Sequence, residues 1–233
     1  MQFQYIGNIQ SEFPEKFGLP KQPGLAPGLK AVLRLSGEFG HETLSRGLEE
    51  CSHLWVLFHF HQSEPFRGGT VRPPVLGGEK RMGVFATRSP HRPNPIGLSL
   101  VKNEGVEFID GAIRIHVSGH DFVDGTPILD IKPYVVSYDR PQGISSHWSD
   151  AIEQKRVQIN WSDKAKDELQ RLGRFEQKST IEQVLALDPR PRVAKSDAVF
   201  GMSFAGLNIS FQSMGVEILV VNVSLLENSQ RVK

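Results

Sequence analysis

Residues 83–99 read Gly83-Val84-Phe85-Ala86-Thr87-Arg88-Ser89-Pro90-His91-Arg92-Pro93-Asn94-Pro95-Ile96-Gly97-Leu98-Ser99. Each proline restrains its own φ and disfavours the α region for the residue before it, so this stretch is not expected to be helical. The flanking apolar runs, 82–86 and 96–101, are predicted to be strands. The sequence therefore predicts a stiff, extended loop between two strands, and its arginines suit it to binding a polar ligand.

Three runs before this loop are predicted to be strands. Residues 3–9 alternate weakly, 29–35 alternate apolar and polar positions, and 53–61 are dense in aromatic and β-branched side chains. A short helix is predicted over 41–50. The stretch 17–28 carries three prolines and three glycines, and is predicted to be an irregular arm whose leucines pack over another part of the protein.

Two further strand regions follow the loop. Residues 106–117 predict a hairpin, because Asp110-Gly111 supplies the positive φ angles of a type I′ turn. Residues 128–136 predict another strand, in which Pro133 marks an edge or a bulge. Residues 1–139 thus contain six to eight short strands separated by turns, a spacing typical of a β-sandwich or β-barrel rather than of alternating strands and helices.

The pattern changes after residue 139. Residues 140–156 are predicted to be a linker, and residues 157–233 a small α+β domain. Its predicted elements are a strand at 157–161, a Ser162-capped helix at 163–172, a helix at 181–187 with a Ser179/Glu182 capping box, a hairpin at 198–211 about Ala205-Gly206, and a strand at 216–226.

The composition is that of an ordinary globular protein: 233 residues, 39% hydrophobic, 23% charged, formal net charge +1. This balance argues against a polybasic protein but leaves room for a local basic surface. The single cysteine, Cys51, excludes a disulfide framework and is predicted to be a buried structural thiol. Without a signal-peptide pattern at the N-terminus or an apolar run long enough to span a bilayer, a cytoplasmic location is expected.

Motifs of several enzyme classes are missing from the sequence, including the glycine-rich dinucleotide and phosphate loops, the nucleophile elbow and the zinc-protease helix. His53, His59 and His61 share one strand face, where metal ligation is conceivable, but ordinary histidines on a polar face are the favoured interpretation, so no metal site is predicted. Two polar groups of residues remain: Arg88, Arg92 and Asn94 in the loop, and Asp130 with Lys132 on one strand face. Each group can bind a polar ligand, and each can equally be a set of surface charges.

Four segments resemble the TrmO family of tRNA methyltransferases. They are the 83–99 loop itself, Gly18-Leu19-Pro20-Lys21-Gln22-Pro23-Gly24-Leu25, Leu129-Asp130-Ile131-Lys132-Pro133-Tyr134, and Asp188-Pro189-Arg190-Pro191. They occur in the order expected for the family and extend over nearly the whole chain. The resemblance implies a closed antiparallel β-barrel that binds S-adenosylmethionine, rather than a doubly wound sheet.

The same resemblance implies methylation of N6 of N6-threonylcarbamoyladenosine, the modified base beside the anticodon of certain threonine tRNAs, by a homodimer with the methyl donor near the subunit interface. It assigns the donor to Pro23, Gly24, Leu25, His61, Gln62, Arg88, Arg92, Leu98, Leu129, Asp130, Ile131 and Lys132. The acceptor nitrogen is conjugated to a carbamoyl group and is a poor nucleophile. Asp130, Asn94 and Tyr134 are therefore the candidates for accepting its proton or holding that group.

Cations in loops near these segments are the candidates for contacts with tRNA phosphates. They are Arg67, Arg72, Lys80, Arg81, Arg92, Arg190, Arg192 and Lys195, and each of them can instead be a solvated surface charge. Two other functions stay open at this point: a non-catalytic regulatory barrel that binds S-adenosylmethionine or RNA, and a hydrolase acting through the histidine-rich strand.

Overall fold

The structure, a computed structural model, describes residues 3–73, 80–145, 156–190 and 198–227. Its strands are β1 (Gly7–Ser11), β2 (Lys30–Leu35), β3 (His53–His59), β4 (Thr70–Val71), β5 (Met82–Gly83), β6 (Ile96–Ile109), β7 (Ala112–Ser118), β8 (Pro127–Pro133), β9 (Gln158–Trp161), β10 (Val199–Phe204), β11 (Leu207–Met214) and β12 (Glu217–Leu225). Its α-helices are α1 (Val136–Asp139), α2 (Asp163–Arg171) and α3 (Lys178–Leu185). None of the helices in these ranges is long and apolar enough to cross a membrane.

Six strands close into a barrel in the order β1-β2-β7-β6-β3-β8. The period of two expected for a strand is clear in β3, where Leu54, Val56 and Phe58 are buried and the residues between them are half-buried. β3 pairs antiparallel with both β6 and β8. The closed barrel implied by the resemblance is therefore confirmed, and a two-sheet sandwich is excluded.

Local turn chemistry accounts for the hairpin of β6 and β7. Asp110 and Gly111 have φ angles of 54° and 68°, as a type I′ turn requires. Close packing requires a glycine at position 97, because a Cβ there would lie 2.2 Å from the ring of Phe58 on the paired strand. The ring of Phe58 thus occupies the space that any larger residue at position 97 would need.

Some local predictions were wrong. The helix expected over 41–50 is a pair of 3₁₀ turns, Glu42–Leu44 and Leu48–Glu50, separated by Gly47 with a φ of 89°. The strand expected over 82–86 is limited to β5 and is followed by the 3₁₀ turn Val84–Ala86. The first strand begins only at Gly7.

The strand expected over 128–136 also ends early. β8 ends at Pro133, whose ring nitrogen has no hydrogen to donate to a neighbouring strand. The chain then enters the short helix α1 at Val136.

A second, four-stranded sheet has the order β10-β11-β12-β9, in which β9 runs parallel to β12. Its hairpin turns at Ala205 and Gly206, with φ angles of 51° and 77°. Ser162 caps α2 as predicted, accepting a hydrogen bond from the Ala165 backbone N–H at 3.1 Å.

The capping box expected for the next helix is wrong. α3 begins at Lys178, so Ser179 lies inside the helix rather than at its N-cap. Glu182, the other half of the predicted box, accepts hydrogen bonds from Trp161 Nε1 at 3.0 Å and from Lys178 Nζ. These two side chains therefore compete with the reciprocal bond that a capping box needs.

The chain divides into two compact units that interleave in sequence. The first consists of Met1–Asn8, Leu33–Ile115 and Thr126–Glu153, and the second of Ile9–Val32, His116–Gly125 and Gln154–Lys233. Each unit thus combines three separate segments. The division predicted from sequence, with a linker at 140–156, stays a prediction.

Candidate functional site

The outer face of β6, β3 and β8 brings several of the predicted site residues together. Leu57 of β3 is paired with Leu98 of β6 on one side and with Asp130 of β8 on the other. Trp55 of β3 is likewise paired with Lys132 of β8. Directly opposed residues share a face, and the alternate residues of β3 are buried, so this set lies on the outside of the barrel. The side chain of Leu98 is 53% exposed there.

Asp130 and Lys132 form an ion pair on this face, with Asp130 Oδ2 at 2.7 Å from Lys132 Nζ. The other carboxylate oxygen accepts a hydrogen bond from the Ile131 backbone N–H at 2.9 Å. Both side chains are about half exposed, so the pair contributes little to folding stability, about 0–1 kcal/mol. A carboxylate and an ammonium are thus presented to solvent on the same outer face as the exposed Leu98.

The 83–99 loop stiffens itself through its own side chains. Arg92 Nη1 donates to the carbonyl oxygens of Thr87 at 3.2 Å and Ser89 at 3.4 Å. Thr87 Oγ1 donates to the Val84 carbonyl at 2.9 Å, and Ser89 Oγ accepts from the His91 N–H at 3.2 Å. The loop is therefore braced locally, as its prolines predict, and Arg92 is one of the braces.

The end of this loop is joined to the end of β3. The Phe60 N–H donates to the Pro95 carbonyl at 2.8 Å, and the His61 N–H donates to His59 O at 2.8 Å. His61 and Gln62 thus follow β3 in a turn beside the proline-rich loop. Arg88 and Asn94 are exposed on the loop itself.

Tyr134 follows β8, with its backbone N–H bonded to His53 O at 3.0 Å. Its ring is half-buried, 6.0 Å from the ring of Trp55 between centroids. Leu129 is half-buried in β8. The remaining predicted donor residues, Pro23, Gly24 and Leu25, belong to the second compact unit.

A cleft of about 490 Å³ was not anticipated from the sequence. Its lining includes Ile131, which is paired with the buried Val56 and therefore points away from the outer face. Of the predicted site residues, only Asp130 and Ile131 line this cleft, and most of its other lining residues are apolar. The cleft lining consists of Ile6, Leu35, Phe39, Leu44, Arg46, Gly47, Leu48, Cys51, Asp130, Ile131 and Pro133.

Cys51 is only partly buried at the wall of this cleft, so the prediction of a buried thiol is wrong. Its Sγ lies 3.5 Å from the Gly47 carbonyl oxygen. The apolar run that suggested burial begins with Leu54, and Cys51 precedes it at the end of a 3₁₀ turn.

Seven of the eight predicted phosphate contacts fall into three groups, and the eighth, Arg92, braces the 83–99 loop. Arg67, Arg72, Lys80 and Arg81 are exposed, and Arg81 Nη1 donates to Thr70 Oγ1 at 3.1 Å. Arg192 and Lys195 lie outside the described residues.

Arg190 differs from the other cations, because its side chain is only 11% exposed. It donates to both carboxylate oxygens of Asp188, at 2.5 and 2.9 Å, and to Ser213 Oγ at 2.6 Å. The hydrogen bond that Arg190 donates to Asp188 raises the pKa of Arg190 further above its usual value, despite partial desolvation. Its donors are used inside the second unit, which argues for a structural role.

In the histidine-rich strand His53 Nδ1 lies 3.1 Å from Ser52 Oγ, and His59 Nδ1 lies 2.7 Å from the Tyr5 hydroxyl. The rings of Tyr5 and His59 are also stacked, with 5.8 Å between their centroids. No cluster of three or more potential metal-ligating side chains is present within the ranges that the structure describes.

The fold and this outer-face site define a class: a mainly β, barrel-based protein whose polar site residues sit on strand faces and a proline-rich loop. Family models identify the class more closely. The tRNA-methyltransferase O N-terminal domain matches residues 8–140, and the TrmO C-terminal domain matches residues 154–226. The chain belongs to the tRNA-methyltransferase O family.

Relatives agree with this assignment. The chain is 41% identical over 201 residues to the tRNA (adenine(37)-N6)-methyltransferase of Escherichia coli (strain K12), covering 84% of this chain and 85% of that protein. It is 45% identical over 196 residues to the putative S-adenosylmethionine-dependent methyltransferase RcsF of Pseudomonas aeruginosa, covering 82% and 83%. The crystal structure of TrmO from Pseudomonas aeruginosa matches with a TM-score of 0.80 at 36% identity, covering 96% of this chain and 98% of that one.

Proposed function

We propose that this chain transfers a methyl group from S-adenosylmethionine to N6 of N6-threonylcarbamoyladenosine, beside the anticodon of threonine tRNA. The observation that carries the proposal is the outer face of β6, β3 and β8, which Leu98, Asp130 and Lys132 share, with Leu57 between Leu98 and Asp130. Membership of the family and the names of the relatives support the reaction class.

The residues on this face suit the parts of the methyl donor. The half-buried Leu57 and the exposed Leu98, which are paired, offer apolar surface for an adenine ring. A carboxylate such as Asp130 accepts hydrogen bonds from ribose hydroxyls or from an amine, and the cations Arg88 and Lys132 pair with a carboxylate. When bound, the donor supplies a methyl group on a sulfonium, and the protein orients the acceptor nitrogen in line with it.

We assign donor binding to His61, Gln62, Arg88, Leu98, Leu129, Asp130, Ile131 and Lys132 and, as the resemblance to the family implies, to Pro23, Gly24 and Leu25. Arg92 is assigned to holding the loop that carries Arg88, because its guanidinium bonds that loop's carbonyl groups. Within the domain division predicted from sequence, 1–139 then forms the methyltransferase domain.

Proton removal from the acceptor nitrogen is assigned to Asp130. It is the carboxylate among the three candidates, and it is half exposed on the proposed donor face. Asn94 is exposed on the loop and holds the carbamoyl group in this scheme, since an amide both donates and accepts hydrogen bonds. Tyr134 packs on Trp55 and takes a supporting part.

Binding of tRNA is assigned to the exposed cations Arg67, Arg72, Lys80 and Arg81, with Arg192 and Lys195 as further candidates. Arg190 is left out, because its donors are bonded to Asp188 and Ser213. A second copy of the chain is the proposed partner of the outer face, where Ile96 and Leu98 are exposed apolar residues beside polar ones. A cytoplasmic location follows from a tRNA substrate.

The experiment is a transfer assay with the purified chain, S-adenosylmethionine labelled in its methyl group, and total tRNA from a strain lacking its own enzyme. We expect label in threonine tRNA and a methylated threonylcarbamoyladenosine in the nucleoside digest. Matched tRNA from cells unable to make the threonylcarbamoyl group is the control and should stay unlabelled. Donor binding without transfer would instead identify a regulatory barrel, and turnover without the donor would identify a hydrolase.

A further inference from the structure

The backbone of residues 24–29, within the second compact unit, is held by partners far away in sequence. On one side is Gly119: the Gly24 N–H donates to Gly119 O at 2.7 Å, and the Gly119 N–H donates to Leu29 O at 2.8 Å. These two bonds fix both ends of the segment against a single residue.

On the other side are two side chains from the C-terminal part of the chain. Gln183 Oε1 accepts a hydrogen bond from the Gly28 N–H at 2.9 Å, across 155 positions of sequence. Arg156 Nη2 donates to the Leu25 carbonyl oxygen at 2.8 Å, across 131 positions. Both side chains therefore bond directly to the backbone of the segment rather than to its side chains.

Packing complements these bonds. Ala26 and Leu29 are buried in the same core cluster as Ile181 and Val184 of α3. The helix that carries Gln183 thus also covers the apolar side chains of the segment. The contact is close, because a Cβ at Gly28 would lie 3.0 Å from both Gln183 Oε1 and Thr180 Oγ1.

Without these partners the segment would be poorly restrained. Gly24 has a φ of 79°, a conformation in which glycine is strongly favoured, and glycines lose more conformational freedom on ordering than other residues. A binding segment that is already held in place avoids that loss when its ligand binds.

We propose that the C-terminal part of the chain positions the donor-binding segment, and that Gln183 and Arg156 are the positioning residues that do so. The proposal rests on the proposed function, in which Pro23, Gly24 and Leu25 contact the methyl donor. Gln183 and Arg156 act on the donor only through this backbone.

The test is the affinity of the full-length protein for S-adenosylmethionine, measured by calorimetry without tRNA. Gln183→Ala should weaken donor binding by about three- to tenfold, the loss expected for one hydrogen bond to a backbone group. Gln183→Glu keeps a carboxylate oxygen where the amide oxygen was and should retain most of the affinity. Arg156→Met keeps the aliphatic stem and should weaken binding by a similar factor to Gln183→Ala.

Gln158→Ala is the matched control. Gln158 lies in β9 of the same unit, but its amide nitrogen lies near Asn160 Oδ1 at 3.4 Å rather than at the segment. Donor affinity should be unchanged in this variant. Steady-state kinetics add a second readout: the KM for the donor should rise in Gln183→Ala while the KM for tRNA stays constant, a split that general destabilisation would not produce.

Wild-type donor affinity in both Gln183→Ala and Arg156→Met would overturn the inference while leaving the proposed function intact. A wild-type protein that neither binds nor uses the donor would instead reject the proposed function. If Gln183→Ala does not fold, as judged by its melting curve, Arg156→Met decides the question, because Arg156 is exposed and outside the core cluster.

Discussion

Two regions of the molecule hold their shape in opposite ways. The 83–99 loop of the first unit is braced by its own prolines and by hydrogen bonds that span only two to five positions, such as Arg92 to Thr87. The 24–29 segment of the second unit is braced by Gly119, Arg156 and Gln183, which are remote in sequence. Local bracing leaves side chains exposed for a ligand, whereas remote bracing ties the segment to the core.

This contrast has a consequence for substitutions. Changes on the outer face of the first unit should alter activity with little effect on stability, because the side chains there are exposed. Changes around the 24–29 segment should alter stability and donor binding together where they reach its core residues, Ala26 and Leu29. Four predictions sharpen or break this contrast.

The largest effect is expected for Asp130→Asn. Removing the carboxylate should lower kcat by about 10²- to 10⁴-fold, the usual contribution of a positioned general base. The melting temperature should hardly change, because the ion pair with Lys132 is half exposed. Single-turnover methylation and thermal melting are the two measurements. Wild-type turnover would remove Asp130 from the proton-accepting role.

Leu29→Ala is expected to change the free energy of unfolding by about as much as Asp130→Asn changes the activation free energy. Leu29 of the 24–29 segment is fully buried in the core cluster that includes Ile181 and Val184 of α3, so its truncation should lower the free energy of unfolding by about 2–5 kcal/mol. Urea denaturation of the full chain measures it. The control is Leu98→Ala, whose side chain is 53% exposed and which should melt close to wild type. Equal losses in the two variants would contradict the contrast.

The pH dependence of stability should report on His120, which is buried beside the same segment. Its Nδ1 accepts from the Phe122 N–H at 3.1 Å, so the proton resides on Nε2, which donates to the Lys30 carbonyl at 3.1 Å. Burial lowers the pKa of His120 from 6.5 to about 4, although the Lys30 carbonyl opposes this shift.

As the pH falls, the unfolded chain binds the proton of His120 before the folded chain does. The contribution of neutral, buried His120 to the free energy of unfolding is therefore complete above pH 6.5 and is lost as the pH falls from 6.5 to 4. The loss is on the order of 3 kcal/mol. Glu12, whose pKa is raised mainly by burial, works in the opposite direction. His120→Gln, which can make both hydrogen bonds without titrating, isolates the histidine and should flatten this part of the stability profile.

The smallest effect is expected for the exposed cations. Arg81→Ala should reduce the dependence of tRNA affinity on salt by about one phosphate contact, without changing donor affinity. Arg190→Ala should behave differently, because Arg190 bonds Asp188 and Ser213, and should lower the melting temperature instead. Binding titrations at several salt concentrations check the first, and thermal melting checks the second. A tRNA affinity that does not change with ionic strength would contradict the assignment of these cations to tRNA binding.

The parts of the fold that were predicted correctly rest on local chemistry. The turn at Asp110-Gly111 needs positive φ angles, which aspartate and glycine adopt readily, and alternation in β3 marks its buried face. The errors arose where a local pattern met a competing interaction. Ser179 and Glu182 have the spacing of a capping box, but Glu182 bonds Trp161 instead.

By itself, the sequence determined the strands, the main hairpins, the stiff loop and, through its motifs, the family. These features depend on neighbouring residues, whose preferences are written in adjacent positions. Only the tertiary structure decided that Leu98, Asp130 and Lys132 share an outer face, because strand pairing joins residues far apart in the chain.

The tertiary structure also decided that Gln183 and Arg156 hold the 24–29 segment. A hydrogen bond across more than a hundred positions leaves no periodic signal in the sequence. The locally braced loop could therefore be predicted from the sequence, whereas the remotely braced segment could be recognised only in the tertiary structure.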